Sequence, residues 1–383
     1  MQSFLKPFPY WVLYYQTSKI SALPTVPEEP WPSGVQALNR AHFVLTLTSA
    51  NSEILSLTPA NVPLYYHECG LTLEAVSPPA EYRALTAAGA TITRTSAPAY
   101  AVMDFRISGW INYWVDRALT GLPSRVNGVM SDEFGEYGLS VGSGTPYGWL
   151  GYVVPDMTPD VWTFATPGLA QFDAAAINAA SLARRLLLES GNRKFLLNCA
   201  YIPYAEAAGG GLFESYMHGG GNADSQYNSV YVVERDFHKL GAFGTIGNTI
   251  LTLTETRAND NSLVTGWRVV LRNALANWLV GCDFCRQKNF FSFNPRNAHF
   301  FRPNWHSEYD LIERLGMPIT DKYPFGGQYT WRKDFTYGSV VTNMLNAPVT
   351  LPSSVTGSMW GDGVVTSGVI AGRPFLSGWL MLR

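Results

Sequence analysis

The sequence predicts an α/β chain built as a parallel (β/α)8 TIM barrel with a small C-terminal antiparallel β-sandwich domain. Three observations carry this. Eight short, β-rich apolar runs alternate with segments long enough to hold helices, which is the rhythm of a parallel sheet. Several of the intervening segments take the 3.6-residue period of a helix. From about Gly326 both signals give way to short apolar runs punctuated by Gly, Ser, Thr, Asn and Pro, the texture of a sandwich or meander. A chain of 383 residues exceeds the length at which one core usually stops growing, so we expect a barrel over residues 1–322 and a β-domain over 323–383.

The barrel runs are residues 10–16, 42–48, 62–68, 101–106, 128–134, 194–199, 211–216 and 249–254. The Pro-rich stretch 23–32 reads as the loop from the first run to its helix. Ile111, Val115, Ala118 and Leu122 fall on one helical face, as do Ala175, Ala179, Leu182 and Leu186. The second of these helices is expected to stop at Gly191, a good C-terminal cap. After the eighth run Trp267, Leu271, Ala274 and Trp278 mark another helix, and residues 289–293 a further or barrel-closing strand. The C-terminal strands are expected at 339–342, 349–351, 364–370 and 378–382.

Composition narrows the function classes. Charged residues make up 15% of the chain, against roughly 25% in an average soluble protein. The chain also carries 12 Trp, 20 Tyr and 20 Phe, which suits a surface that touches sugars or packs on other subunits, as a homo-oligomer or in an assembly. A net charge of -2 and the lack of a Lys/Arg run exclude nucleic acid as an expected partner. No window reaches the ~18 apolar residues of a membrane span. Pro7 and Pro9 interrupt the stretch a signal peptide would need, so the chain is expected in the cytoplasm or carried on a phage particle or other assembly.

Metal, redox and nucleophilic chemistry have little support. Cys69, Cys199, Cys282 and Cys285 are too scattered for a disulfide scaffold, and the lone Cys282-x-x-Cys285 pair reads as structural thiols. His42, His67, His218, His238, His299 and His306 show no HxH or HExxH spacing, and no GxSxG elbow is present. No cofactor and no catalytic metal are expected.

In a parallel barrel the residues that act on a ligand gather at the C-terminal ends of the strands. The 101–106 run carries Asp104 and Arg106, and 128–134 ends in Asp132 and Glu133. The 194–199 run ends in Asn198, 211–216 in Glu214 and Tyr216, and 62–68 in His67 and Glu68. An acid on an apolar strand is costly to desolvate unless it meets water or a partner, so its recurrence on separate strands points to one polar mouth.

Glycosidic bond cleavage needs one carboxylic acid for the leaving oxygen and one carboxylate to attack or to activate water. Asp132 and Glu214, on the fifth and seventh runs, would approach that mouth from opposite sides. Alternation puts Asp132 and Glu133 on opposite faces; we read Asp132 as inward and Glu133 as a loop or helix-start contact. Asp104 would hold a sugar hydroxyl or pair with Arg106. Asn198 would bond the sugar 2-OH or the nucleophile. Either residue could equally be a satisfied buried polar group. Among the aromatics, Tyr201, Tyr216 and Trp305 are the stacking candidates. The triplets at 209–211 and 219–221 flank Glu214 as flexible or closely approached backbone, since no Lys follows them and the first precedes a strand.

Taken in order, Met103-Asp-Phe-Arg106, Trp110 and Trp114 on a helix, Asn127-Gly-Val-Met-Ser-Asp-Glu-Phe134, Leu196-Leu-Asn198 and Gly211-Leu-Phe-Glu214 resemble glycoside hydrolase-like barrel families. These are the hypothetical glycosyl hydrolase family fifteen and the related α-galactosaminidase-type barrels, whose strands read "DGvflD", "lliN" and "G...E". The segments Leu315-Gly-Met-Pro318, Arg332-Lys-Asp-Phe335 and those after Tyr337 look like the small β-domain of such enzymes, so the resemblance spans nearly the whole chain. It implies Asp132 as nucleophile or base and Glu214 as acid, and it supplies no substrate. Asn127 stands where "DG" has Asp, and Ser131 immediately precedes the acid.

Two expectations follow. One is a retaining glycosidase acting on a polysaccharide or surface glycan. The other is a non-catalytic glycan-binding or structural protein of a phage particle or other surface assembly.

Overall fold

The computed structural model describes residues 8–14, 34–47, 52–68, 73–74, 79–83, 85, 89, 91, 93–94, 97–132, 138–139, 146–147, 168–198, 202–213, 248–255, 267–284, 288–294, 305–326, 330–343, 349–350, 357–359, 364–365, 369–370 and 377–382. The chain divides into two compact units, one of residues 1–45, 49–62 and 214–383, the other of residues 46–48 and 63–213.

The first half of the chain holds β1 (Trp11–Tyr14), α1 (Gly34–Asn39), β2 (Phe43–Leu47), α2 (Ser52–Leu57), β3 (Leu64–Glu68), β4 (Leu73–Glu74), β5 (Thr93–Arg94), β6 (Ala97–Val102), α3 (Ser108–Leu119), β7 (Gly128–Ser131), β8 (Gly138–Leu139), β9 (Pro146–Tyr147) and α4 (Gly168–Glu189). Then come β10 (Lys194–Leu197), α5 (Ile202–Ala208), β11 (Gly210–Phe213), β12 (Thr249–Glu255), α6 (Trp267–Gly281), β13 (Lys288–Asn294) and α7 (Ser307–Ile312). The C-terminal strands are β14 (Tyr323–Pro324), β15 (Thr330–Phe335), β16 (Gly338–Asn343), β17 (Val349–Thr350), β18 (Gly357–Met359), β19 (Val364–Val365), β20 (Val369–Ile370) and β21 (Ser377–Leu382).

Eight parallel strands form one sheet in the order β1-β2-β3-β7-β10-β11-β12-β13. Its two ends meet at the parallel bridge between Tyr10 and Phe291, where the Phe291 N–H donates to the Pro9 carbonyl at 3.0 Å. The (β/α)8 barrel is therefore the fold, with an antiparallel β-sheet domain after it. One predicted strand is corrected. Residues 101–106 are not a barrel strand: β6 pairs antiparallel with β4 and β5, on the connection from β3 to α3. The eighth place is taken by β13, which covers the 289–293 run. Apolar content cannot distinguish a short strand in a long connection from a barrel strand. The strand that leads to Asp132 is thus the fourth of the barrel, and the one preceding Glu214 the sixth, rather than fifth and seventh.

In the unit containing residues 63–213, helical period decides the packing. Trp110, Ile111, Trp114, Val115 and Ala118 form the buried face of α3, and Ala176, Ala179, Ala180, Ala183 and Leu187 that of α4. Both faces cover Val129, Phe195 and Leu197 of the strands. The small alanines let α4 lie close to the sheet. It ends as predicted: Gly191 takes φ 118, and Asn192 and Arg193 return their N–H groups to the Leu188 and Leu187 carbonyls.

In the other unit α6 is buried on nearly every face, because the C-terminal sheet lies against the side that water would otherwise reach. Six strands form that sheet, in the order β14-β15-β16-β21-β18-β19. Two buried asparagines of α6 are matched to it. Asn273 accepts from the Gly378 N–H at 2.9 Å, and Asn277 accepts from the Thr342 hydroxyl at 2.6 Å. Gly378 is required there, since a side-chain carbon would overlap the Ala276 methyl. Phe8, Tyr10, Trp278, Trp305 and Tyr309 pack as an aromatic cluster, Phe8 stacked on Tyr309 at 4.2 Å between centroids.

Candidate active site at the strand ends

Side-chain direction at the mouth follows from alternation. Val129, Phe195 and Leu197 belong to the core shared with α3 and α4, so they face the helices. Phe195 lies in register with Val129, and Leu197 with Ser131. Met130 and Asp132 therefore take the opposite, barrel-side face, as do Leu196 and Asn198. The ladder runs one residue past the strands, the Asn198 N–H donating to the Ser131 carbonyl at 2.9 Å. This brings the two polar side chains together: Asn198 Nδ2 donates to Asp132 Oδ1 at 2.8 Å. Both are partly exposed, while Ser131 is wholly buried and its hydroxyl donates to the Asp132 carbonyl at 3.1 Å.

The layer beneath is closed by a fit the sequence motifs did not reveal. Tyr65 lies in register with Gly128. A side-chain carbon at Gly128 would stand 2.8 Å from the Tyr65 ring and 2.5 Å from the Lys194 carbonyl. Glycine inside a strand thus marks a close approach, and the buried ring of Tyr65 fills the space. Burial pushes its phenol pKa up, so the hydroxyl stays protonated. On the same strand as Tyr65, His67 and Glu68 hold register positions opposite Met130 and Ser131.

Asn127, which departs from the "DG" pattern, sits at the other end of β7. Its side-chain oxygen accepts from the Leu64 N–H at 2.9 Å, and its carbonyl accepts from Lys194 at 2.8 Å. It ties β3 to β10 where the strands begin, so the departure does not touch the acid-bearing end.

Asp104 and Arg106 sit between β6 and α3, on a strand-to-helix connection and therefore on the side where a barrel's ligand loops gather. Asp104 is 9% exposed. It accepts from Arg106 Nε at 2.7 Å and Nη2 at 2.5 Å, a bidentate pair, and from the Arg106 backbone N–H at 3.1 Å. Trp114 and Tyr204 are core residues, whereas Tyr113 is 38% exposed beside Trp110. Trp305 is 3% exposed and belongs to the aromatic cluster, near the residues that enter β2 rather than those that leave it. Glu133, Tyr201, Glu214 and Tyr216 lie outside the described residues, as does Cys285. Among the described residues no group of three or more His, Cys, Asp or Glu could hold a metal ion, and no helix is long and apolar enough to cross a membrane. Cys282 is buried, which raises its thiol pKa.

Fold and strand-end polar groups together define a (β/α)8 barrel with an acid-bearing mouth. No protein-family model matches the chain, and no curated protein matches it in sequence. Among solved structures it is similar to the maltogenic alpha-amylase AmyB from Thermotoga neapolitana, with 10% identity over 97% of this chain and 99% of that one and a TM-score of 0.49. It is similar to the GH36 alpha-galactosidase AgaA from Geobacillus stearothermophilus, with 10% identity, 100% of this chain, 57% of that one and a TM-score of 0.49. For the glycoside hydrolase domain of PelA from Pseudomonas aeruginosa the values are 13%, 80%, 97% and 0.43. These similar structures are glycoside hydrolases with (β/α)8 barrels. The fold assignment itself rests on the strand ladder.

Proposed function

We propose that the chain is a glycoside hydrolase that cleaves a polysaccharide or surface glycan with retention, through Asp132 and Glu214. The observation that carries the reading is the Asp132–Asn198 pair, a carboxylate held by an amide at the C-terminal end of the fourth barrel strand. A donor to the charged form favours the ionised state, which suits a nucleophile and not a proton donor. Glu214 follows the sixth strand directly, and alternate strands of a barrel contribute to the same layer of side chains. Leu197 is in register with Gly211, so Leu212 takes the barrel side, and Glu214 stands two residues further along the sequence. In this reading Asp104, held by Arg106, accepts from a sugar hydroxyl, and Glu133, His67, Tyr201 and Tyr216 line the substrate.

The test is hydrolysis of a polysaccharide panel by the full chain, with product anomers followed by NMR. Asp132→Asn and Glu214→Gln should each abolish turnover at unchanged melting temperature, and the first product should keep the substrate's anomeric configuration. Unchanged turnover in both variants would overturn the assignment. Glycan binding without turnover in the wild type would establish a non-catalytic glycan-binding protein instead.

A further inference from the structure

A second polar recess lies within the unit of residues 1–45, 49–62 and 214–383. It is a cavity of about 520 Å³, lined by Arg40 and His42 where the chain enters β2, by Asn61 ahead of β3, and by Trp305, Asp310 and Glu313 around α7. Its volume is that of a small-molecule site. These strands begin here, whereas a barrel's reactive loops follow the ends of its strands.

The walls are fixed. Trp305 stands edge-on to Phe8, Tyr10 and Tyr309, and its indole Nε1 donates to Asp310 Oδ1 at 3.2 Å. The Arg40 guanidinium lies 4.5 Å from the Trp305 ring centroid and reaches the same Oδ1 at 3.5 Å. Glu313 Oε1 accepts from the Phe8 N–H at 2.8 Å. Each carboxylate thus spends one oxygen on the protein, and among the described residues Asp310 Oδ2 and Glu313 Oε2 receive no hydrogen bond. His42 Nδ1 is buried with no hydrogen-bond partner among the described residues. Burial lowers the pKa of that imidazole, so it is neutral at pH 7.

The lining selects its ligand by chemistry. Two carboxylates against one guanidinium repel an anion. Among the described residues no three His, Cys, Asp or Glu side chains are arranged to hold a metal ion. An apolar ligand would strip water from the carboxylate oxygens without replacing it. A hydroxyl both donates and accepts, so it can serve a carboxylate, a neutral imidazole and an amide alike. We propose that this recess is a second carbohydrate subsite, taking one neutral pyranose unit whose hydroxyls bond Asp310 Oδ2 and Glu313 Oε2, with the neutral His42 ring enclosed in the wall behind them. Trp305 is a wall of the subsite and not its stacking platform. The subsite does not depend on Asp132 or Glu214.

The experiment is saturation-transfer NMR on the full chain with methyl α-D-glucopyranoside, methyl α-D-galactopyranoside and N-acetyl-D-glucosamine, and with D-glucuronate and D-glucosamine as charged controls. At least one neutral pyranose should receive saturation from the wild type and equally from Asp132→Asn. The signal should vanish in Asn61→Trp, which fills the recess from an exposed loop position, and affinity should fall about tenfold in the isosteric Glu313→Gln. Failure of every neutral pyranose, equal signals from the wild type and both recess variants, or binding of the charged sugars alone would each overturn the proposal. None of these outcomes bears on hydrolysis at the mouth.

Discussion

Asn198 Nδ2 reaches Asp132 Oδ1 at 2.8 Å across two neighbouring parallel strands, and the backbone bond from Asn198 to Ser131 sets the spacing. A hydrogen bond to a charged group contributes about 1.5–3 kcal/mol. Replacing Asn198 with Ala should therefore lower kcat/KM by roughly 10- to 100-fold and shift the acid limb of the pH profile to higher pH. The same limb can be read without substrate, by ¹³C-carboxyl NMR of Asp132 in the two proteins. Asn198→Asp should shift it further, because two adjacent carboxylates cannot both ionise cheaply. An unmoved acid limb in both variants would show that the amide does not govern Asp132.

Gly128→Ala should destabilise the chain by about 1–3 kcal/mol, the usual cost of overpacking. The added carbon would meet both the Tyr65 ring and the Lys194 carbonyl. Tyr65→Leu in the same chain should restore only part of the loss, since the carbonyl belongs to the backbone and cannot move aside. Urea midpoints of the single and double variants measure this.

His306 is buried between Trp267, Phe293 and Tyr309, and burial pushes its pKa down to about 4. The unfolded chain takes up that proton near its ordinary value of 6.5, so between pH 6.5 and about 4 the unfolded state binds more protons. Stability must therefore fall as pH drops through that window, by an amount on the order of 2–3 kcal/mol. His306→Gln should flatten this part of the profile when urea melts at pH 7 and pH 5 are compared.

Asp334 adds a separate loss at lower pH. Burial alone would raise its pKa, but hydrogen bonds from Ser339, Tyr323 and Arg332 outweigh it and hold the carboxyl below its usual range. Its contribution is complete above the unfolded value and disappears as pH falls through the lowered one. Asp334→Asn should therefore remove pH dependence below about pH 4 and loosen the hairpin of β15 and β16, visible as faster amide exchange there.

The fold was legible because apolar runs and helical periods are local properties, and β7, β10, β12 and β13 lie where those runs lie. The place of each strand in the barrel was less so. The 101–106 run has the composition of a barrel strand, and only its partners β4 and β5, distant in sequence, reveal it as part of a connection. At the mouth, Asp132 and Asn198 were readable as polar residues closing apolar strands. Their bond was one of three options, because it depends on the register between β7 and β10, which neither strand encodes alone. The role of Gly128 was hidden for the same reason, and Trp305 reads as a sugar platform until the cluster around Phe8 and Tyr309 shows what encloses it.

Because α6 is greasy all round and carries Asn273 and Asn277 on its outer side, a chain cut short at residue 322 would hand that helix to water with two amides stripped of their partners. The last sixty or so residues thus act as roof to the barrel wall, and trimming them is expected to yield aggregates instead of a smaller folded protein.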